Sequence, residues 1–147
     1  MECVKPTVVR CEDYDALMSF LLKIDNTLPV SLSARVDLGE FLDGNLRTGF
    51  IFAVLDGKEV AAAAFVYHNF YHRAAAYLNL LATVPDYYGK GYAKVLMDKI
   101  ESDAKEKGMT EFHLHTNATN QKAVSLYAGR GYEVTETEPK LHMVKML

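Results

Sequence analysis

The sequence predicts an α/β domain, and three observations carry that prediction. Asp56-Gly57 separates two apolar runs, Phe50 to Leu55 and Lys58 to Tyr67, which is the strongest short-range signal for an antiparallel hairpin. A near-continuous apolar segment, Ala75 to Val84, runs straight into a glycine-bearing stretch and then an amphipathic helix. A further strand, Glu111 to Thr116, leads into a second helical pattern that passes through Tyr127.

Taken in order, Thr7 to Arg10 is a short first strand, and Glu12-Asp13 places acidic residues at the start of a helix. Tyr14, Leu17, Phe20, Leu21 and Ile24 give that helix one apolar face for the core, and it ends before Pro29. A second helix is expected from a Ser33 cap through Asp43, with Gly44-Asn45 as its stop. The hairpin follows, then a bend from His68 to Arg73. The strand Ala75 to Val84 is apolar enough to predict burial on both faces. The helix that starts near Gly91 should bury Tyr92, Val95, Leu96, Ile100 and Ala104 and end at Gly108. Its exposed face should carry the pairs Glu101 with Lys105 and Asp103 with Lys107. Gly131 to Thr137 and Leu141 to Leu147 are the last strands, joined by a Pro139-Lys140 turn.

The 147 residues suit one domain, expected to span residues 1–147, with no internal repeat or linker. Half of them are apolar and 24% are charged, as in a soluble globular protein. No run is long enough to span a membrane, and the N-terminal Met-Glu-Cys-Val-Lys does not open a signal peptide, so a cytoplasmic protein is expected. Cys3 and Cys11 are the two cysteines, close together near the N-terminus, and reduced thiols are expected. A net charge of -3 argues against nucleic acid as a partner and mildly favours a basic acceptor.

The stretch Val84-Pro-Asp-Tyr-Tyr-Gly89-Lys90-Gly91-Tyr92-Ala93 reads as a pyrophosphate cradle. Gly89 and Gly91 let the backbone turn with positive φ and point N–H groups at an anion; the following helix adds its positive end, and Lys90 adds a charge. A P-loop would need Gly-Lys-Ser/Thr after four spacer residues. A dinucleotide fingerprint would need a third glycine where this chain has Lys94, so an NAD-linked oxidoreductase is disfavoured.

This loop is linked to a second motif, Asn117-Ala-Thr-Asn120-Gln-Lys-Ala123-Val-Ser-Leu126-Tyr127-Ala-Gly-Arg-Gly131-Tyr132. Together, from Ala74 to Leu147, the two resemble the GCN5-related N-acetyltransferase (GNAT) superfamily; the first half resembles it only in its order of elements. The resemblance implies a mixed, mostly antiparallel central sheet of about six to seven strands flanked by about four helices. It also implies acetyl-CoA as donor, no metal, and direct transfer to a primary amine of a small molecule or peptide. A homodimer remains open, because relatives often dimerise and no stripe in this sequence requires it.

By the same resemblance, the thioester and pantetheine lie along the backbone of Leu81, Ala82, Thr83 and Val84, with the Leu81 N–H facing the oxyanion. The pyrophosphate lies against Gly89, Lys90, Gly91, Tyr92, Ala93 and Lys94. Tyr127 is the general acid for the departing thiolate, and Asn120 bonds on the CoA side. Two departures stand out. Tyr88 occupies a position where many relatives have Arg or Gln. The central strand has no Asp, Glu or His where relatives place a general base, and Tyr77 and Asn79 take the inward positions. A water chain held near Asn79, or one of His68, His72, His113 and His115, is then the candidate base. The segment Asp25 to Ser33 and the His68 to Arg73 bend should border the acceptor, with Asp37 and Glu40 as candidate contacts for a cation. Neither Cys3 nor Cys11 lies in a nucleophile motif, which favours direct transfer over an acyl-enzyme. The rival reading is a non-catalytic acyl-CoA-binding sensor or interaction module, motivated by the missing carboxylate.

Overall fold

The computed structural model describes residues 6–28, 31–69, 74–137 and 140–147; Cys3, Pro29, His72, Arg73 and Pro139 lie outside the described residues. In chain order the elements are β1 (Val8–Arg10), α1 (Tyr14–Ile24), α2 (Leu38–Thr48), β2 (Gly49–Asp56), β3 (Glu59–Asn69), β4 (Ala75–Thr83), α3 (Tyr92–Glu106), β5 (Glu111–Thr116), α4 (Gln121–Gly129), β6 (Glu133–Glu136) and β7 (Leu141–Met146). Short 3-10 turns at Asp25–Thr27, Leu32–Ala34 and Pro85–Tyr87 connect them. The strands form one sheet in the order β1-β2-β3-β4-β5-β7-β6. Every adjacent pair is antiparallel except β4 and β5, so the sheet is mixed and mostly antiparallel, as expected. The parallel pair follows from α3, which carries the chain back across the sheet between the two strands.

Alternation along β3 divides the interior. Ala62, Ala64 and Val66 face the cluster built with Leu96, Met97 and Ile100 of α3 and Tyr127 of α4. Ala63 and Phe65 face the opposite cluster, with Leu17, Phe20, Leu21 and Ile24 of α1 and Leu42 of α2. The sheet thus lies between two helical layers, and the alanines of β3 let both layers come close. On the α1 side, Phe65 is flanked by Phe20 and Phe41, at 6.5 and 5.6 Å between ring centroids.

Asp13 caps α1 by accepting from the Ala16 N–H at 3.1 Å. The hairpin forms with Gly57 at φ +62°; Asp56 already pairs with Glu59, so Gly57 and Lys58 make the turn.

Three expectations need correction. First, Ser33 does not cap α2. Its hydroxyl and N–H both go to Asp25, while Asp37 caps the helix through the Glu40 N–H at 3.0 Å. The helix continues through Gly44-Asn45 to Thr48, because the burial of Leu42 and Asn45 against the sheet outweighs the roughly 1 kcal/mol that a helical glycine costs.

Second, β4 is not buried on both faces along its length. Its pairing with β5 runs from Ala75↔Glu111 to Leu78↔Leu114 and stops. At that point Leu78 pairs with Val66 and Leu80 with Phe65, leaving Asn79 as the extra residue of a bulge, exposed and beside a gap.

Third, Glu101 is buried, at 8% exposure, rather than paired on the surface with Lys105. It accepts from Arg130 Nη2 at 3.1 Å, Lys145 Nζ at 2.8 Å and Tyr132 Oη at 2.9 Å. Burial alone would push its carboxyl up, but these donors hold it below the usual carboxylate value. The ion pair expected between Asp103 and Lys107 forms at 3.1 Å.

Candidate active site

The gap between β4 and β5 is where the main chain becomes available for binding. The Val84 N–H donates to the Ala61 carbonyl of β3 at 2.8 Å. N–H groups alternate in direction along a strand, so Ala82 also faces β3, while Leu81 and Thr83 point away from it. Past Leu78 the β5 partner has gone, and those two N–H groups open onto a cavity.

Two cavities meet there. The larger, ≈ 680 Å³, runs from Leu81, Ala82 and Thr83 along Tyr87 and Tyr88 to Gly89, Gly91 and the first turn of α3. Gly89 and Gly91 have φ of +79° and +77°, a region that only glycine adopts without strain. Gly91 occupies the cap position of α3 without a side chain to satisfy the helix's first N–H groups. Tyr92, Ala93 and Lys94 line the cavity at that end, where unsatisfied donors and the helix dipole attract an anion. The opposite wall comes from α4, with Asn120, Lys122, Ala123, Ser125, Leu126 and Tyr127.

The smaller cavity, ≈ 290 Å³, shares Leu28, Leu81, Asn120, Ala123 and Tyr127 with the larger one and adds Arg35, Leu78, Asn79, Leu80, His115, Thr116, Asn117 and Lys140. Leu81 and Tyr127 therefore stand at the junction. Tyr127 is 7% exposed and set edge-on against Tyr132, with ring centroids 5.8 Å apart. Burial pushes its phenol up to about 12, so it is protonated at neutral pH.

Most residues singled out in the sequence come together here: Leu81, Ala82, Thr83, Gly89, Gly91, Tyr92, Ala93, Lys94, Asn120 and Tyr127 on the larger cavity, and Asn79 on the smaller. Val84 turns into the α1-side core, and Lys90 is exposed beyond the cavity lining. Asn120 spends its Oδ1 as the cap of α4, accepting from the Ala123 N–H at 3.2 Å. Asn79 donates through Nδ2 to Asn45 Oδ1 at 2.7 Å, and Asn45 in turn reaches the Phe50 carbonyl. Asp37 and Glu40 line neither cavity.

Of the four histidines proposed from sequence, His115 lines the smaller of these two cavities and the described His68 and His113 line neither; His72 is not described. His113 is buried between Glu111 and His142, both at 2.8 Å. His68 packs against Phe50, with burial lowering its pKa and its Nε2 left without a partner.

Four contributors were not foreseen. His142 pairs across the sheet with His115 and stacks on its ring at 4.5 Å, fixing the imidazole at the cavity edge. Lys122 sits over the ring of Tyr88 at 5.3 Å, bringing a cation from α4 to the loop beside the start of α3. Arg35 and Lys140 enter the smaller cavity. Register would have revealed His142, but register is not written in any one strand.

Comparison with known proteins agrees with this geometry. Residues 14–132 match the Acetyltransferase (GNAT) family. An acetyltransferase of Sodalis glossinidius is 30% identical over 130 residues, covering 88% of this chain and 87% of that protein. The PaiA N-acetyltransferase of Thermoplasma acidophilum, solved in complex with coenzyme A, superposes with a TM-score of 0.76 at 16% identity, over 98% of this chain and 100% of that one. Arabidopsis thaliana Naa50, in complex with the bisubstrate analogue CoA-Ac-MVNAL, gives 0.74 at 21% identity over 98% and 100%. These likenesses, with the junction of a splayed strand and an uncapped helix, place the chain in the GNAT family of acetyltransferases.

Proposed function

We propose that this acetyltransferase moves an acetyl group from acetyl-CoA directly to a primary amine. The observation that carries this reading is the meeting of two cavities at Leu81 and Tyr127, one ending at an uncapped helix N-terminus and the other polar and small. The larger suits the donor: the N–H groups of Tyr92, Ala93 and Lys94 would hold the pyrophosphate, Lys122 would add charge, and Leu81 to Thr83 would pair with the pantetheine arm. A bound thioester supplies an activated acyl carbon at the junction.

The chain's own groups do the rest. His115 takes a proton from the acceptor nitrogen, leaving its lone pair free to attack. The Leu81 N–H donates to the carbonyl oxygen as negative charge builds there. Tyr127, protonated at neutral pH, gives its proton to the departing sulfur; the proton that the nitrogen sheds on becoming an amide restores the phenol, and His115 releases its own to solvent. A carbon–nitrogen bond forms, a carbon–sulfur bond breaks, and no metal is called on. The sensor reading took its support from a missing base on β4, and His115 offers one from β5. We read the protein as a cytoplasmic enzyme; among the described residues no helix is long and apolar enough to cross a membrane.

Titration calorimetry with acetyl-CoA, followed by mass spectrometry of products from an amine panel, tests this. The expected result is acetyl-CoA binding and a hydroxylamine-resistant amide whose formation falls roughly a hundredfold in Tyr127→Phe. Binding of acetyl-CoA with no acetylation of any amine would favour the sensor, and no binding would remove the reading altogether.

A further inference from the structure

The acceptor cavity has a charge character that the whole chain does not. The protein carries a net charge of -3, yet no Asp or Glu is among the described residues lining the smaller cavity, and Arg35 and Lys140 both are. Other basic side chains near carboxylates are paired: Arg130 with Glu101 and Asp98, Lys145 with Glu101, Lys23 with Glu59. Neither Arg35 nor Lys140 has a carboxylate partner among the described residues. They come from separate parts of the fold, Arg35 from the turn between α1 and α2 and Lys140 from just before β7, and converge on one cavity.

Two cations that meet no carboxylate among the described residues disfavour a second positive group in the acceptor and favour an anion. The guanidinium fork matches carboxylate and phosphate oxygens two at a time, and the ammonium acts as a point charge beside it. Asn117 and Thr116 add neutral polar groups, and ≈ 290 Å³ is at the small end for ligand sites.

We propose that the acceptor is a small amine that also carries an anionic group, a carboxylate or a phosphate. Arg35 and Lys140 hold that group while the amino nitrogen lies at the junction beside Leu81, His115 and Tyr127. The inference rests on the acetyl-transfer reading above, and it reverses the mild preference for basic acceptors drawn from net charge. Net charge describes the whole surface; these two residues describe the pocket.

The test uses the full chain and matched acceptors: an α-amino acid against its carboxamide, an aminoalkyl phosphate against its amino alcohol, and a diamine. Acetyl-CoA affinity is measured first by calorimetry. The expected result is a kcat/KM for the anionic member roughly tenfold to a hundredfold above its neutral partner, the range of one or two charge-assisted hydrogen bonds. That ratio should collapse towards one in Arg35→Gln/Lys140→Gln and recover in part in Arg35→Lys. Comparison of the carboxylate and phosphate arms identifies which anion is used.

Equal or better turnover of neutral amines, the diamine or an oligopeptide N-terminus overturns the proposal while leaving acetyl transfer intact, as does a preference that survives the double substitution. Failure to bind acetyl-CoA overturns the functional reading instead. If acetyl-CoA binds and no amine in the panel turns over, calorimetry of the same acceptors with the CoA-saturated protein decides. Binding of the anionic members that is lost in Arg35→Gln/Lys140→Gln supports the proposal, and its absence overturns it.

Discussion

The two cavities share Leu81 and Tyr127, but in the proposed reading they hold their contents by different means. On the proposed donor side the reading rests on main-chain groups, the strand edge of Leu81 and Thr83 and the first turn of α3, with side chains such as Lys122 beside them. On the proposed acceptor side they are side chains, Arg35, Asn79, His115 with Asn117, and Lys140, brought from four stretches of chain. A main-chain site depends on backbone shape, so glycine geometry and strand splay govern it, and most side-chain changes pass through without effect. A side-chain site can be re-specified by one or two substitutions while the donor site stays as it is. Such a division would let one scaffold keep its donor and vary its acceptor.

The largest predicted effect joins the two sides. Glu101 ties α3, which forms the donor end, to Arg130 after α4 and to Lys145 on β7, the strand that follows Lys140. Glu101→Ala leaves Lys145 and the buried Tyr132 hydroxyl without this acceptor and Arg130 with Asp98 alone, and should cost about 3–5 kcal/mol of stability in urea denaturation. Both KM values should then deteriorate together. The same group sets an acid limit. Its folded-state pKa lies below the ordinary 4.5, so its stabilisation is complete above that value and is lost as the pH falls through the folded pKa. Thermal melts of wild type should therefore decline below about pH 4.5, and the decline should be shallower in Glu101→Gln.

At the junction, Tyr127→Phe and His115→Ala should each lower kcat roughly a hundredfold with little change in acetyl-CoA affinity. If His115→Ala is silent while Asn79→Ala is not, a water held at Asn79 is the base instead. On the donor side alone, Gly91→Ala forces a side chain into φ +77° at a cost of about 1–2 kcal/mol, and it should raise the KM for acetyl-CoA with the acceptor KM unchanged. The smallest effect is expected from Lys122→Ala, a loss of only about 0.5–1 kcal/mol in acetyl-CoA binding, the worth of one exposed cation. Kinetics in which Gly91→Ala alters acceptor selectivity would break the division between the sides.

What the sequence disclosed follows the same line. The lining of the larger cavity was legible because its determinants are local: Gly89 and Gly91 in one loop, and Asn120, Ala123, Leu126 and Tyr127 along one helix and its cap. The hairpin at Asp56-Gly57 was legible for the same reason. The misread elements depended on distant partners. Ser33 resembles a cap until Asp25 takes both of its donors, and Glu101 resembles a surface residue until Lys145, 44 positions away, arrives beside it. The bulge at Asn79 exists only in the pairing of β4 with β3. In the smaller cavity Asn79 and His115 were singled out one by one, but the convergence of Arg35 and Lys140 on them, from segments that meet only after folding, had no local signature.

The most direct test of the central claim, a main-chain donor site joined at Leu81 and Tyr127 to a side-chain acceptor site, is a crystal structure with CoA bound. The predicted result has the pyrophosphate against the N–H groups of Tyr92, Ala93 and Lys94, the pantetheine along Leu81 to Thr83, and the sulfur beside Tyr127, with the smaller cavity left open. CoA seated among Arg35, His115 and Lys140, or away from the start of α3, would contradict the account.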